Sequence, residues 1–409
     1  MKFVAALFLF AEAVLAFLLL SRRVRLKSAA SFSVVFTLLL ASFVPRLLFF
    51  DYETLDYQWF LGPWVDFYRN NGGFAALNQN LGNYNVPYLT LLAFFSYLPV
   101  RDLYLIKLLS VLFDVLLAWG GLRLVSRMTE DPVRRIGVFF ALLLLPTVFL
   151  NGAFWGQCDS IYAALAVLAL ADALDDRPWR SMILLALSFG FKLQAVFLIP
   201  VFAALLFTGK LRWKHLPVFP LSYVVSILPA VIAGRPFFET LTLYLGQTGS
   251  IGDGLNYNSP SVFALIRDPA DPALAGRIGI LAAFLFMLLV LGVCFVFRRR
   301  LSDRRILAAA LLLAIGIPFL LPHMHDRYFF GADALSVILA FAAPELFPVA
   351  ALVQFASILG YHAYLAQRWL LTMDHGARAL ILALITTGAY WLVSLRRCED
   401  GEKKLDKTQ

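Results

Sequence analysis

The stretch IGILAAFLFMLLVLGVCFVFRRR, residues 278–300, runs twenty residues without a charge and ends on Arg298, Arg299 and Arg300. About 20 apolar residues of α-helix cross the hydrocarbon of a bilayer, and a basic cluster directly behind such a run marks its cytoplasmic end. The same pattern recurs along the chain. Runs at 3–20, 30–50, 103–126, 136–151, 157–173, 216–234, 276–297, 305–321, 330–344, 348–365 and 377–395 read as crossings. The run 180–208 is long enough for two short helices, broken near Phe191-Lys192-Leu193-Gln194, because a lysine at mid-membrane depth costs several kcal/mol unless it reaches water or a partner. The spacing therefore predicts an all-α, polytopic membrane protein with about 13 transmembrane helices.

Composition agrees with this reading. The chain is 61% hydrophobic and 15% charged, with a mean hydropathy of +0.78, against about 45–50% apolar residues in soluble domains. We expect one membrane domain over 1–397 and a short cytoplasmic tail over 398–409. The net charge of +9 sits in short clusters between apolar runs, which are topology signals and not a nucleic-acid surface. Cys158, Cys294 and Cys398 are few and widely spaced, so neither a disulfide framework nor a zinc site is implied. The run Phe3 to Leu20 lacks a small-residue cleavage site and is followed by Arg22, Arg23, Arg25 and Lys27, so it reads as a retained helix.

The apolar stretch 84–99 begins Tyr84-Asn85-Val86-Pro87-Tyr88 and is too short to span comfortably, so we read it as a juxtamembrane helix at the interface. Every basic cluster then falls on one side: 22–27, 123–135, 177–180, 210–214, 298–305 and 396–407 together hold 23 of the 35 Lys and Arg residues. This places the N-terminus outside and the C-terminus in the cytoplasm of a plasma-membrane protein. Three segments rich in polar residues, 51–83, 151–160 and 322–328, land on the outer side without having been used to set the topology. The long loop 235–275 joins them.

The first segment contains Asp51-Tyr52-Glu53-Thr54-Leu55-Asp56-Tyr57-Gln58-Trp59-Phe60 and Trp64. Its carboxylates are either general bases or ordinary solvated loop acids flanked by interfacial aromatics. The second is Asn151-Gly152-Ala153-Phe154-Trp155-Gly156-Gln157-Cys158-Asp159-Ser160. Trp155 is able to stack on a sugar or sit in the interface, Gln157 and Asp159 to bond hydroxyls, and Asp159 also to cap the following helix. The third is Pro322-His323-Met324-His325-Asp326-Arg327-Tyr328, where an arginine beside a histidine suits a phosphate without a metal. His323 and His325 could supply two metal ligands, but no third is evident, and we expect no metal and no cofactor. Lys192 either snorkels or binds an anion. Asp114 is expected to pair with Lys107 inside the helix at 103–126, and Asn256-Tyr257-Asn258-Ser259-Pro260 reads as a turn at a pocket edge. A base, polar turns and a cationic pocket on one face suggest group transfer from a lipid phosphate, and no Walker motif or dinucleotide fingerprint competes.

These residues give the chain a resemblance to the polytopic glycosyltransferases of the GT-C class. It looks most like bacterial mannosyltransferase-like proteins related to the second mannosyltransferase of GPI-anchor synthesis. The resemblance is carried by Asp56 to Phe60 with Trp64, Gly72-Gly73-Phe74, Asn83 to Tyr88, Trp155 to Asp159, Lys192-Leu193-Gln194 and His325 to Tyr328. It implies a polyprenyl-phosphate sugar donor, a glycan, lipid or protein acceptor, and a hexose, with mannose suggested by the resemblance alone. It also implies a base in the first outer loop, best matched by Asp56 with Asp51 as the competitor. His325, Asp326 and Arg327 match a run associated with the donor phosphate in a related family, and Lys192 joins them. Trp155, Gln157, Asp159, Trp64 and His323 are assigned to the sugar or acceptor. The rival readings are a transporter or a lipid-linked glycan flippase, which usually show inverted halves with midplane charges, and an inactive scaffold protein.

Overall fold

A computed structural model describes residues 2–26, 28–247, 254–266 and 269–405, with the backbone alone for Lys2, Gln247 and 397–405. Residues 248–253 and 267–268 of the long loop, 406–409 of the expected tail and the side chain of Cys398 lie outside this description.

The chain folds as an all-α, multi-pass membrane protein. Among the described residues, eight helices are long and apolar enough to cross a membrane: Phe3–Ser21, Ala29–Phe49, Asp102–Met128, Pro132–Trp155, Trp213–Ile232, Pro272–Val296, Pro344–Leu365 and Met373–Arg396. The other expected crossings are shorter or more charged helices, Asp159–Leu174, Pro178–Phe191, Ile199–Phe207, Asp303–Leu320 and Phe330–Ala342. The last helix is unbroken from Met373 to Leu405.

Which helices lie at the centre follows from composition. All sixteen residues of Asp159–Leu174 are buried, as expected for a helix that is apolar all round. It packs against Pro178–Phe191 and Asp102–Met128. By contrast Pro272–Val296 exposes Ile278, Leu281, Phe284, Leu285 and Leu289, a row of apolar side chains that only lipid would solvate favourably.

The break expected near Lys192 is present: Pro178–Phe191 ends on an extended Lys192 (φ −154°, ψ 133°), and a 3-10 turn, Leu193–Phe197, leads into the next helix. The segment after Asn85 forms a helix of only ten residues, Val86–Phe95, about 15 Å at 1.5 Å per residue. It packs with the helix Gly62–Asn70 and the 3-10 turn Gly73–Asn78. Together they form a second hydrophobic cluster, with Trp64, Tyr68, Tyr88 and Leu92 packed beside Cys158 and Ile161.

The expected Asp114–Lys107 pair does not form. Two helical turns, about 10 Å of rise, separate the two residues. Asp114 instead pairs with Arg46 of the second helix at 2.9 Å with both side chains fully buried, while Lys107 donates to the carbonyls of Phe49 and Tyr52 at 2.8 and 2.6 Å. Each buried charge therefore has a partner, as the membrane interior requires.

One short parallel pairing joins distant loops, with Asn256 opposite Met324 and Tyr257 opposite His325. It brings part of the long loop to the 322–328 segment. Gly360 permits this approach, since a Cβ there would sit 2.8 Å from the Asp326 carbonyl and 3.0 Å from that of Asn258.

Candidate active site

Two π-helical turns bring the first two polar segments together. Asp56 precedes the π-turn Tyr57–Leu61, and Trp155 ends the π-turn Leu150–Trp155. Such turns insert one extra residue into the helical ladder and re-aim the side chains beside them. Gly156 closes the second turn at φ 77°, a left-handed conformation that strains any residue with a Cβ. The Thr54 hydroxyl ties the two segments by donating to the Trp155 carbonyl at 2.9 Å.

Asp56 sits at the centre of this junction. Its Oδ2 accepts from Trp155 Nε1 at 2.8 Å and from Gln157 Nε2 at 2.6 Å. Its Oδ1 accepts from the Tyr364 hydroxyl at 2.6 Å. Gln157 is held in turn: its Oε1 accepts from Tyr84 at 3.0 Å, and its backbone carbonyl accepts from Ser110 at 2.6 Å.

The Trp155 ring is fully buried. Tyr364 stacks on it at 4.4 Å with an interplanar angle of 15°, Tyr361 meets it edge-on at 5.4 Å, and the Arg327 guanidinium lies over it at 5.0 Å. A ring so covered has no open face for a sugar. Its geometry instead links a carboxylate, through its N–H, to a cation, through its π-face.

Arg327 opens the second half of the cluster. Its Nε is 3.5 Å from Asp159 Oδ2, and its Nη1 is 3.5 Å from Asp326 Oδ1. Asp159 is fully buried. It accepts from Lys192 Nζ at 2.6 Å and from Asn151 Nδ2 at 2.9 Å, and Asn151 also donates to the Tyr361 hydroxyl at 3.0 Å. Cys158 holds the cap position and Asp159 is the first residue of the helix, where its carboxylate bonds these neighbours. The arginine and lysine are thus partly neutralised and converge on one carboxylate.

His325 stacks on Tyr257 at 4.7 Å and tilts against Tyr328 at 5.1 Å. Burial, with Arg327 and Lys192 nearby, pushes its imidazole down to about 4, so at neutral pH it is able to donate a hydrogen bond but brings no positive charge. Asp326 is 4% exposed, and among the described residues its Oδ1 has no hydrogen-bond partner. Burial pushes this carboxyl up to about 7 against the pull of Arg327.

Asp51 is at a different place. It accepts from the Tyr104 hydroxyl and lies 3.9 Å from Arg101, which also holds Glu53. Trp64 is joined to the cluster through Tyr84, with ring centroids 5.7 Å apart. His323 points elsewhere: its Nδ1 meets the Gly254 carbonyl at 2.7 Å, and its backbone adopts φ 61°. Among the described residues no three His, Cys, Asp or Glu side chains gather as a metal-binding group.

Sequence reasoning missed Tyr364, Tyr361 and Asn151. Tyr364 lies 308 positions from Asp56 at the end of an apolar helix, where a tyrosine reads as an interfacial anchor. No local pattern singles it out.

The sequence profile described as glycosyltransferase family 87 matches residues 83–322, more than half of the chain. The match includes Tyr84, Trp155, Gln157, Asp159 and Lys192 and ends just before His323, with Asp56 on the other side of it. No curated protein matches the chain.

Proposed function

The chain belongs to glycosyltransferase family 87, and on that footing we propose that this membrane glycosyltransferase moves a hexose, mannose by the resemblance above, from a polyprenyl-phosphate sugar to an acceptor hydroxyl on the extracytoplasmic side of the plasma membrane. The acceptor hydroxyl attacks the anomeric carbon, the bond to phosphate breaks, and polyprenyl phosphate leaves. Asp56 takes the hydroxyl proton as the new bond forms. Arg327 and Lys192 receive the phosphate and stabilise the charge that grows on it, while neutral His325 offers a hydrogen bond.

One observation supports this reading above the rest: Asp56 and Arg327 are held on the same indole, Trp155, one by its N–H and the other over its face. A base and an anion-binding cation held on one ring suit a reaction in which deprotonation and departure of a phosphate occur together. Asp51 is engaged elsewhere, with the Tyr104 hydroxyl and near Arg101.

The test uses the full-length protein in membranes that carry its acceptor, with polyprenyl-phosphate-linked mannose, glucose, galactose and arabinose as donors. Wild type is expected to consume one of them, and Asp56→Asn to lose at least about 100-fold of that rate, as for removal of a general base. Equal turnover by Asp56→Asn would remove Asp56 as the base. A matching loss in Asp51→Asn alone would move the role there.

A further inference from the structure

A carboxylate offers about four lone-pair sites, two on each oxygen. Among the described residues, Asp56 Oδ2 fills both of its sites, with Trp155 Nε1 and Gln157 Nε2. Oδ1 fills one, with the Tyr364 hydroxyl. A single site on Oδ1 is left, so a base built this way receives one proton donor at a time from one direction.

We infer that Tyr364 is a positioning residue that keeps water off this base, so that the enzyme transfers sugar to its acceptor and does not hydrolyse the donor. The inference rests on Asp56 being the base. Oδ2 faces buried groups, Trp155 and Gln157, both at most 2% exposed, whereas Oδ1 is bonded by Tyr364, which like Asp56 is only half-buried. The phenol is held in place without help from substrate, because its ring stacks on Trp155 at 4.4 Å. Removing its oxygen frees a second site on Oδ1, of a size and polarity that suit one water molecule.

Water at that site would give up a proton to Asp56 and attack the anomeric carbon as its bond to phosphate breaks. The products are free sugar and polyprenyl phosphate, with the proton on Asp56. Atoms and charge balance as in transfer, with water in place of the acceptor hydroxyl.

The experiment follows radiolabelled donor, in acceptor-containing membranes, into two products: transferred sugar and free sugar. The donor is the one of the four that wild type consumes. Tyr364→Phe keeps the ring stack and loses only the hydroxyl, and we expect the ratio of free to transferred sugar to rise about 10-fold or more, the scale of one hydrogen bond to a charged group. A purely structural role would lower both products together and leave the ratio unchanged, and that result overturns the inference. Tyr364→Leu frees the same site and replaces the phenylalanine variant if that one does not fold. Asp56→Asn, run in parallel, separates the two claims. If it is as active as wild type, the base assignment fails and the inference with it. If it is inactive while Tyr364→Phe keeps the wild-type ratio, only the inference fails. If wild type consumes none of the donors, the proposed function itself is overturned.

Discussion

Replacing Lys192 by Met tests the electrostatics on which the cluster stands. The Asp159 carboxylate is fully buried and has three polar neighbours: Lys192 at 2.6 Å, Asn151 at 2.9 Å and Arg327 at 3.5 Å. Removing one partner of a buried ion pair leaves an uncompensated charge and costs about 3–5 kcal/mol. Because Arg327 remains at the longer distance, we expect the low end of that range, about 3 kcal/mol. Removing both charges, in Lys192→Met with Asp159→Leu, eliminates the stranded carboxylate and should recover at least half of that loss, which is a strong positive coupling in a double-mutant cycle. The assay is reversible denaturant unfolding of the purified protein in detergent, read by tryptophan fluorescence, with ligand absent. Arg101→Met serves as the comparison. Its pair with Glu53 joins side chains that are 30% and 34% exposed, so its loss should cost under about 1 kcal/mol. Two results would refute the reasoning: a cost for Lys192→Met no larger than that of Arg101→Met, or penalties at 192 and 159 that simply add. Either would mean that Asp159 is solvated or neutral and that Lys192 is merely a snorkelling side chain.

Two further outcomes follow from the same site. Asp326, raised to about 7 from an ordinary value of 3.8, binds its proton more tightly in the folded protein, so this group makes stability fall as pH rises from about 4 to 7. Asp326→Asn should remove that slope and unfold at a higher temperature than wild type at pH 8, with little difference at pH 4; equal pH dependence in the two proteins would contradict this. Gly360→Val would drive side-chain carbon into the carbonyls of Asp326 and Asn258, both within about 3 Å of a Cβ at 360. It should separate the 256–258 and 324–326 segments and weaken donor turnover far more than Gly292→Val, where nothing lies within 4 Å; similar activity in the two variants would show that the close approach is dispensable.

The parts of this protein that were legible in its sequence are those set by the bilayer. Runs of about 20 apolar residues, basic clusters between them and a lysine interrupting 180–208 each follow from the cost of placing charge in hydrocarbon. The break at Lys192 and the short helix Val86–Phe95 appear where these costs put them. The side-chain partners were less legible, because they are decided by helix packing between residues far apart in the chain. Asp114 finds Arg46, 68 positions away, and not Lys107 on its own helix. Trp155 has a composition suited to sugar stacking, yet packing buries it among Tyr361, Tyr364 and Arg327. The ordinary value of an imidazole lies close to neutral pH, so residue type leaves the charge of His325 open, and burial beside Arg327 and Lys192 pushes it down to about 4 and fixes it as neutral.

That neutrality bears on how a phosphate would be received. Lys192 and Arg327 already face Asp159 and Asp326, so an arriving lipid phosphate competes with carboxylates for the same cations. Under the proposed function, Asp326 resolves this competition more easily than Asp159. Its Oδ1 makes no hydrogen bond among the described residues, and with its carboxyl raised to about 7, taking up a proton costs little near neutral pH. Protonated Asp326 would release Arg327 toward the phosphate and become a donor itself. Asp159, bonded to Lys192 and Asn151, would hold the two cations together. The two carboxylates would then have different tasks, set by their surroundings: one keeps the cations in place, and the other yields its charge when the substrate brings its own.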